Sequence, residues 1–418
     1  MKGNTMLCAI VVALLGFLCA YTLNEPVPPG ITEPVKYRLF MTSIRLTRLL
    51  ISATYLLHRD EPFPNFYVKR IRSIQEYTAP SPRAEIAGSN IRSRVLDLDG
   101  VSARIYEPIR RSEEKQPGFV YLHGGGMVLG SADSYDTQTR KIAEGLNAVV
   151  VSVNYRLAPE HPFPAGYEDC ERATRFFMEH AEEHGVDQRR IGIGGDSAGG
   201  HLSASVAQAI NDDPGLPNLK LQVLIYPSMQ KIDLNTPSYQ KYASDFGDGG
   251  ILSIPSIITF VTLAEFGEVD PYVFEQLLRN NHTSSDFKTK SLEYMYVDHT
   301  ILPTDFRDPR FYKTRTDPSD GNDALWKHMS HNLLDPRSAP LLRRDLSGLP
   351  PAYIVTCGFD ALRDDGVFYK HRLEEAGVAV KWVHYEDAFH GVMSLSGLPF
   401  QLGHAIIDHI IEFVKETI

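Results

Sequence analysis

Ser197 lies in the middle of the pentapeptide Gly195-Asp196-Ser197-Ala198-Gly199, between a short apolar run and a segment that favours a helix. Glycines on either side of a serine allow the sharp, strained strand-to-helix turn that exposes a nucleophilic hydroxyl. The amino end of the following helix adds backbone N–H donors and the positive end of the helix dipole. An ordinary glycine-rich turn is the alternative, but this context predicts that Ser197 is a catalytic nucleophile.

A second glycine motif, His123-Gly124-Gly125-Gly126, closes an earlier apolar run. Attack on an acyl carbonyl places negative charge on its oxygen, and backbone N–H groups that already point at this oxygen speed the reaction. We predict that the N–H groups of Gly124, Gly125 and Ala198 form this oxyanion hole. His123 and Gly126 are expected to shape the loop. A nucleotide-binding turn is the alternative, but the sequence contains neither of the usual phosphate-binding glycine patterns.

The general base and the acid that orients it are predicted late in the chain. Asp360 follows the apolar run 352–356, and His390 follows the apolar run 380–385. A serine hydroxyl needs a histidine to take its proton, and the histidine needs a carboxylate that holds its tautomer and stabilises its charged form. We therefore predict that Ser197 is the nucleophile, His390 the base and Asp360 the orienting acid.

Three other residues compete for these roles. Asp364 and Asp365 fall inside the helix predicted after Asp360, whereas Asp360 occupies the strand end, where the acid is expected. His384 lies within a predicted strand, and His390 lies in the loop that follows it. Position therefore favours Asp360 and His390 over these rivals.

A regular framework must position these residues, and the chain from about residue 94 onward supplies one. Short β-branched or aromatic runs alternate with segments of helical periodicity, which is typical of an α/β fold with a mostly parallel sheet flanked by helices. The predicted strands are 118–122, 147–155, 190–194, 221–226, 352–356 and 380–385, and the predicted helices are 165–184, 198–210, 361–376 and 401–416.

Two segments depart from this alternation and are predicted to cap the sheet. Residues 25–94 precede the predicted catalytic domain, 95–418, and contain an amphipathic stretch, 39–57, with two arginines. Residues from about 230 to 345 combine scattered aromatics with many Asp and Pro, and a structureless loop of that length is unusual inside a compact domain. We expect helical cap elements in both. The stretch 39–57 either packs on the body or faces lipid or an apolar substrate.

Residues 1–24 have the composition of a membrane-targeting segment. Residues 6–21 are almost wholly apolar and follow Lys2, and a helix of about 20 predominantly apolar residues spans a bilayer. The segment is either a retained signal anchor or a cleaved secretory signal, and both deliver the remainder to the secretory lumen. Asn281 begins the triplet Asn-His-Thr, which is an N-glycosylation sequon usable in that compartment.

Composition limits the remaining alternatives. The chain has 418 residues and a net charge of −10, and it lacks the clustered Lys and Arg that nucleic-acid binding needs. Its four cysteines predict neither a disulfide framework nor a metal site, and two of them, Cys8 and Cys19, lie in the apolar N-terminal segment. The sequence does not indicate an oligomeric state.

Four motifs in this order resemble the arylacetamide deacetylase group, within the hormone-sensitive-lipase branch of the α/β-hydrolases. They are His123-Gly-Gly-Gly126, Tyr155-Arg-Leu-Ala-Pro-Glu160 with the following His-Pro-Phe-Pro, Gly195-Asp-Ser-Ala-Gly-Gly200, and Asp360-Ala-Leu-Arg-Asp364 followed by Phe389-His390-Gly391. With the apolar segment at the N-terminus, the resemblance extends over nearly the whole chain. Members of the group can pair a cysteine like Cys357 with one shortly after the glycine motif. No cysteine stands there, so we expect Cys357 to be a buried thiol.

The resemblance implies an α/β-hydrolase fold with a helical cap, and a carboxylic ester or amide hydrolase of lipophilic substrates that uses an acyl-enzyme intermediate and no cofactor. It assigns Ser197, Asp360 and His390 to the catalytic triad, in agreement with the chemical reasoning. Members of the group are type II membrane proteins with a lumenal catalytic domain. We therefore expect an anchored protein of the endoplasmic reticulum membrane, with a secreted protein as the alternative. A non-catalytic ligand-binding protein on the same fold is the functional alternative.

Overall fold

A computed structural model describes residues 26–57, 59–78, 83–110, 114–314, 321–394 and 400–418, together with 13, 16–17, 20–22 and 24. Most of the predicted targeting segment 1–24 therefore lies outside the described residues. Within the described ranges, no helix is both long enough and apolar enough to cross a membrane.

The described residues form one eight-stranded sheet. Its strands are β1 (Ile91–Leu98), β2 (Val101–Pro108), β3 (Gln116–Leu122), β4 (Val149–Val153), β5 (Val186–Asp196), β6 (Gln222–Ile225), β7 (Ala352–Phe359) and β8 (Val380–Phe389). Their order across the sheet is β1-β2-β4-β3-β5-β6-β7-β8. Strand β2 is antiparallel to both of its neighbours, and all other pairs are parallel. The predicted mostly parallel sheet is confirmed.

Helices cover both faces of this sheet and form a cap. They are α1 (Pro34–Tyr55), α2 (Phe63–Thr78), α3 (Asp136–Leu146), α4 (Ala165–Glu179), α5 (Ala198–Asn211), α6 (Pro237–Phe246), α7 (Ile254–Phe266), α8 (Pro271–Leu278), α9 (Ser285–Lys290), α10 (Leu292–Met295), α11 (Asp323–Leu333), α12 (Arg363–Glu375) and α13 (Gln401–Thr417). Short 3₁₀ turns occur at Ala181–His184, His299–Ile301, Thr304–Arg307 and Pro340–Leu342.

Alternation along the central strands divides the core between the two faces. On β3, Phe119 and Tyr121 join the apolar cluster that contains α3 and α13, whereas Val120 and Leu122 join the cluster that contains α4 and α5. Successive side chains of a strand point to opposite faces, so a strand covered on both sides is apolar throughout. This is why the central strands were readable as continuous apolar runs.

The strand boundaries differ from the predicted ones at two places. Strand β8 continues to Phe389, so His390 follows the strand directly rather than after a loop of several residues. Strand β1 begins at Ile91 and crosses the boundary predicted at residue 94. The hairpin of β1 and β2 was not predicted, because β1 lies at the sheet edge and exposes many of its side chains.

The described residues between 230 and 345 contain short helices whose starting points are specified locally. Ser253 and Asp270 accept the N–H of the residue three positions later, and each is followed within two positions by a proline. Side-chain oxygens at the N-cap and proline in the first turn are both strong helix-start signals. The abundance of Asp, Ser and Pro therefore encodes helix starts, and the predicted helical cap is confirmed.

Both cap segments contact the chain at the carboxyl ends of the parallel strands. The ring of Tyr37 in α1 lies 5.0 Å from that of Phe389, at the end of β8. In α7, Phe260 packs so closely on Gly126, after β3, that a side chain at Gly126 would press on its ring. The loops that carry the predicted site residues therefore lie beneath the cap.

Candidate active site

The turn between β5 and α5 places Ser197 at the end of the sheet. Ser197 has φ 56° and ψ −120°, a strained conformation for a residue with a side chain, and its N–H donates to the carbonyl of Ile225 at 2.8 Å. A side chain at Gly199 would overlap the carbonyl oxygen of Leu122. The turn can therefore approach β3 this closely only with glycine at that position.

Asp360, His390 and Ser197 form a continuous hydrogen-bonded chain. The Nδ1–H of His390 donates to Oδ2 of Asp360 at 2.8 Å, and the Oγ–H of Ser197 donates to Nε2 of His390 at 2.9 Å. The other carboxylate oxygen of Asp360 accepts the N–H of Leu362 at 2.8 Å, which fixes its orientation. The structure thus brings together the three residues that the sequence predicted as nucleophile, base and orienting acid.

The rival residues face other partners. Asp364 accepts the N–H of Ser238 at 2.7 Å, and Asp365 accepts the N–H of Met229 at 2.8 Å. Burial raises the pKa of Asp365 to about 7. His384 is hydrogen-bonded to side chains of β7 and β8. These residues hold the chain around the strand ends, and none of them is bonded to the serine.

Gly124 does not have the role predicted from its place in the glycine motif. Its N–H donates to Oδ1 of Asp196 at 3.0 Å, so it is already paired inside the protein. Gly125 and Gly126 follow with φ values of 114° and 65°, and neither N–H has a hydrogen-bond partner among the described residues. The prediction of Gly124 as an oxyanion donor is therefore wrong, because a buried carboxylate binds its N–H.

His123 holds the glycine loop that follows it. Its Nδ1–H donates to the carbonyl of Gly124 at 2.8 Å, and its ring stacks on Tyr155 with centroids 4.3 Å apart. The hydroxyl of Tyr155 donates to the carbonyl of His123 at 2.8 Å. Burial lowers the pKa of His123 to about 4, so its ring is neutral near pH 7.

Asp196 is a central residue of the site that the sequence reasoning did not single out. Its buried carboxylate accepts four hydrogen bonds: Tyr121 hydroxyl at 2.8 Å, Gly124 N–H at 3.0 Å, Tyr135 hydroxyl at 3.1 Å and Ser394 hydroxyl at 2.5 Å. These donors come from β3, the loop that begins at His123, the approach to α3 and the segment after His390. One carboxylate therefore joins the parts of the site that surround the serine.

The state of this carboxylate depends on burial and on its donors. Burial raises the pKa of Asp196, while the hydrogen bonds from Ser394, Tyr121 and Tyr135 act in the opposite direction. An ionised carboxylate can accept all four bonds, whereas a protonated one would lose an acceptor site. The position of Asp196 in the sequence could have indicated this role. An aspartate beside Ser197 at the end of a buried strand needs hydrogen-bond donors for its carboxylate.

Comparison with known proteins identifies the family of the chain. A sequence profile described as the alpha/beta hydrolase fold matches residues 119–274 and 300–394. Arylacetamide deacetylase of Oryctolagus cuniculus is 35% identical over 421 residues, which cover 98% of this chain and 99% of that protein. The chain belongs to the α/β-hydrolase family.

Other members are similarly related over most of their length. Neutral cholesterol ester hydrolase 1 of Bos taurus is 34% identical over 427 residues, covering 98% of this chain and 99% of that protein. The solved esterase of Pyrobaculum calidifontis is 28% identical with a TM-score of 0.58, covering 84% of this chain and 94% of that chain. These relatives confirm the predicted fold and the resemblance to the arylacetamide deacetylase group. This α/β-hydrolase is a carboxylic ester hydrolase, as predicted, and the non-catalytic alternative loses its support.

Other predicted residues are also placed by the structure. Cys357 is a buried free thiol, as expected. Asn281 is partly buried, and its Nδ2 donates to Oε1 of Gln276 at 3.0 Å, so glycosylation there stays a prediction. No group of side chains in the described ranges has the arrangement of a metal site.

Proposed function

We propose that this α/β-hydrolase is a serine esterase that cleaves lipophilic carboxylic esters, with amides as a second substrate class, through an acyl-enzyme intermediate. The observation that carries the proposal is the hydrogen-bonded chain from Asp360 through His390 to Ser197, with distances of 2.8 and 2.9 Å. A chain of these three residue types in this order is the machinery of acyl transfer.

The geometry supports a definite division of labour. Ser197 Oγ attacks the acyl carbonyl while Nε2 of His390 takes its proton. Asp360 holds the Nδ1–H tautomer and stabilises the imidazolium that forms. His390 then gives the proton to the leaving alcohol or amine. In the second half of the reaction His390 takes a proton from water, which attacks the acyl-serine ester and releases the carboxylic acid.

We assign the oxyanion hole to Gly125, Gly126 and Ala198. The first two follow Gly124 on the loop that Asp196 and His123 hold, and Ala198 begins the helix after the nucleophile. Backbone N–H groups without internal partners at this point are suited to a developing oxyanion. Gly124 supports the loop instead.

The apolar cap supports a lipophilic substrate. In the cap, Phe260 packs on Gly126, and Ile251 lies near Gly391, beside His390. The relatives named above include a hydrolase whose name specifies cholesterol esters. A substrate with a large apolar group would bind between the cap and the strand ends.

We propose a location from the sequence alone. The apolar run 6–21 after Lys2 supports a retained signal anchor, with the catalytic domain in the lumen of the endoplasmic reticulum. A secreted enzyme is the alternative if the segment is cleaved. Carbonate extraction separates the two, because an anchored protein stays with the membrane pellet and a secreted one is released.

Hydrolysis of chromogenic esters tests the proposed mechanism. Wild type, Ser197→Ala and Ser203→Ala are compared on a short-chain and a long-chain ester. Ser203 is a matched control, because its buried hydroxyl donates only to a carbonyl of its own helix, Gly199 O at 2.7 Å. We expect Ser197→Ala to lose roughly 10⁴-fold or more in kcat and Ser203→Ala to keep near-normal turnover. Equal activity of the three proteins would contradict the proposal.

A further inference from the structure

Helix α1 carries apolar side chains on two faces. One face packs on the body through residues such as Tyr37, Met41 and Ile51, which are buried. The other face is exposed at positions 35, 39, 50, 53 and 57 and half-buried at Leu46, and these apolar positions follow helical spacing to just past the end of the helix. Four of its side chains have exposed fractions of 71%, 59%, 68% and 82%, in the order Val35, Leu39, Leu50 and Leu57.

The segment formed by α1 and α2 concentrates most of the exposed apolar surface. More than half of the large hydrophobic residues exposed in the described part of the chain fall within 34–78. Single exposed apolar residues are ordinary, but several of them on one segment mark a surface that contacts something apolar.

The charge of the same segment is opposite to that of the protein. Residues 34–78 contain eight Lys and Arg and three Asp and Glu, a net charge of +5 in a chain of net −10. Arg38 and Arg45 lie beside the exposed apolar positions of α1, with Arg45 over the ring of Tyr21 at 4.2 Å, whereas Arg48 donates to Ser256 of α7 at 3.4 Å. An amphipathic helix with an apolar face and flanking arginines suits the interface of a bilayer that contains anionic lipids.

We propose that the exposed face of α1, with the adjoining surface of α2, docks on an anionic lipid bilayer and lies in its interface. The helix is too polar to span a bilayer but has the pattern of one that lies on it. The apolar run 6–21 precedes it by about a dozen residues, so any membrane contact of that run would keep α1 near the lipid surface. Docking by α1 and α2 does not require that run to be retained.

This surface is connected directly to both halves of the active site. On its buried face, Tyr37 contacts Phe389, the residue before His390, with ring centroids 5.0 Å apart. From α2, Arg72 donates to the carbonyl of Val128 at 2.8 Å, two residues after the glycine motif. The docked face would therefore place the cap and the catalytic residues beside the lipid phase, where a lipophilic ester resides. This last step rests on the proposed function.

Lipid quenching of site-specific fluorophores tests the docking. The full chain carries Cys8→Ala and Cys19→Ala, while Cys170 and Cys357 are buried and stay. An environment-sensitive label is placed at Leu39→Cys or Leu50→Cys. The controls are Tyr272→Cys and Met295→Cys, which are exposed apolar positions (57% and 66%) of the other cap segment. Each protein is added to phosphatidylcholine vesicles with or without phosphatidylserine, and doxyl groups on the acyl chains report contact.

We expect labels at positions 39 and 50 to be quenched at least about threefold more than labels at 272 and 295, and more strongly when phosphatidylserine is present. Equal, weak quenching at all four positions would overturn the proposal, whether or not the protein floats with the vesicles. The proposal would also be overturned if the fluorescence of labels at 39 and 50 changed with protein concentration but not with added lipid, because the face would then bind a second copy of the chain. Ester hydrolysis is not part of this readout, so failure of the proposed catalytic function would leave the docking result independent.

Discussion

The carboxylate of Asp196 and the backbone N–H of Gly124 are joined by a hydrogen bond of 3.0 Å. This bond connects the residue before Ser197 to the first glycine after His123. The same carboxylate accepts the hydroxyl of Ser394, four residues after His390. One buried carboxylate therefore holds Ser197, the glycine loop 124–126 and His390 in fixed positions relative to one another.

Replacing Asp196 with asparagine tests this role as a positioning residue. An amide offers one acceptor oxygen and turns an NH₂ group toward donors, so it cannot keep all four bonds. We expect kcat for ester hydrolysis to fall roughly 10- to 100-fold while KM changes by less than about threefold, because the loop stabilises the transition state more than the bound substrate.

Two serine variants serve as controls for Asp196→Asn. Ser394→Ala removes one donor of the network, and we expect a smaller fall in kcat in the same direction. Ser203→Ala removes a buried hydroxyl outside it and should leave kcat near that of wild type. If Asp196→Asn lowered only the melting temperature and left kcat unchanged, the positioning role would be refuted.

The conformation of Gly125 gives a second prediction. A side chain there would require φ near 114° and would overlap the carbonyl oxygen of Leu129. We expect Gly125→Ala to lower kcat by about 10²-fold or more, because the N–H groups of the loop would move from the oxyanion position. Gly377→Ala is the matched control, since Gly377 has φ 77° but open space around it. A similar loss of kcat in both variants would contradict this account.

The predicted triad was readable from the sequence because each member stands directly after a segment whose residue types predict a strand. Asp360 follows β7, His390 follows β8, and Ser197 follows β5 between glycines. In a parallel sheet the carboxyl ends of such strands meet at one edge, so position along the chain was enough to bring these residues together.

The partner of Gly124 was not readable in the same way. Tyr135 and Ser394 reach Asp196 from segments that are far apart in sequence, and tertiary packing alone determines which N–H the carboxylate binds. The edge hairpin β1–β2 was not predicted because buried and exposed side chains are mixed along β1, so its sequence has no continuous apolar run. The cap helices were readable only as a region, since their starts depend on short capping motifs rather than on periodicity.

The assignment of the acid can be tested by comparing Asp360→Asn with Asp364→Asn. Asp360 accepts the Nδ1–H of His390. The NH₂ group of asparagine at this position would favour the His390 tautomer without a proton on Nδ1, and we expect kcat to fall about 10⁴-fold. Asp364 pairs with Arg363 and accepts the N–H of Ser238, so its replacement should lower the melting temperature with a much smaller effect on kcat. A larger loss of kcat in Asp364→Asn would show that the acid was assigned wrongly.

Three buried histidines predict how stability depends on pH. Burial lowers the pKa of His123 and His282 to about 4 and that of His201 to about 3. The unfolded chain, with pKa values near 6.5, therefore binds more protons, so stability present above pH 6.5 is lost as the pH falls toward 4. Each histidine contributes at most about 1.4 kcal/mol per pH unit in that range.

The melting temperature of His282→Gln, measured from pH 7 to pH 5, checks this prediction. The variant cannot take up this proton, so its melting temperature should fall less steeply than that of wild type. His331→Gln replaces an exposed histidine and should retain the slope of wild type. Parallel curves for wild type and His282→Gln would refute the contribution of His282.

Covalent labelling tests the central claim, that Ser197 is activated by His390, most directly. The purified full chain is treated with a fluorophosphonate probe, digested, and analysed by peptide mass spectrometry, with Ser197→Ala and heat-unfolded wild type treated in parallel. We predict a single adduct on the peptide that contains Ser197 in folded wild type and none in the other two samples. An adduct on another residue, or no adduct in folded wild type, would contradict the proposed mechanism.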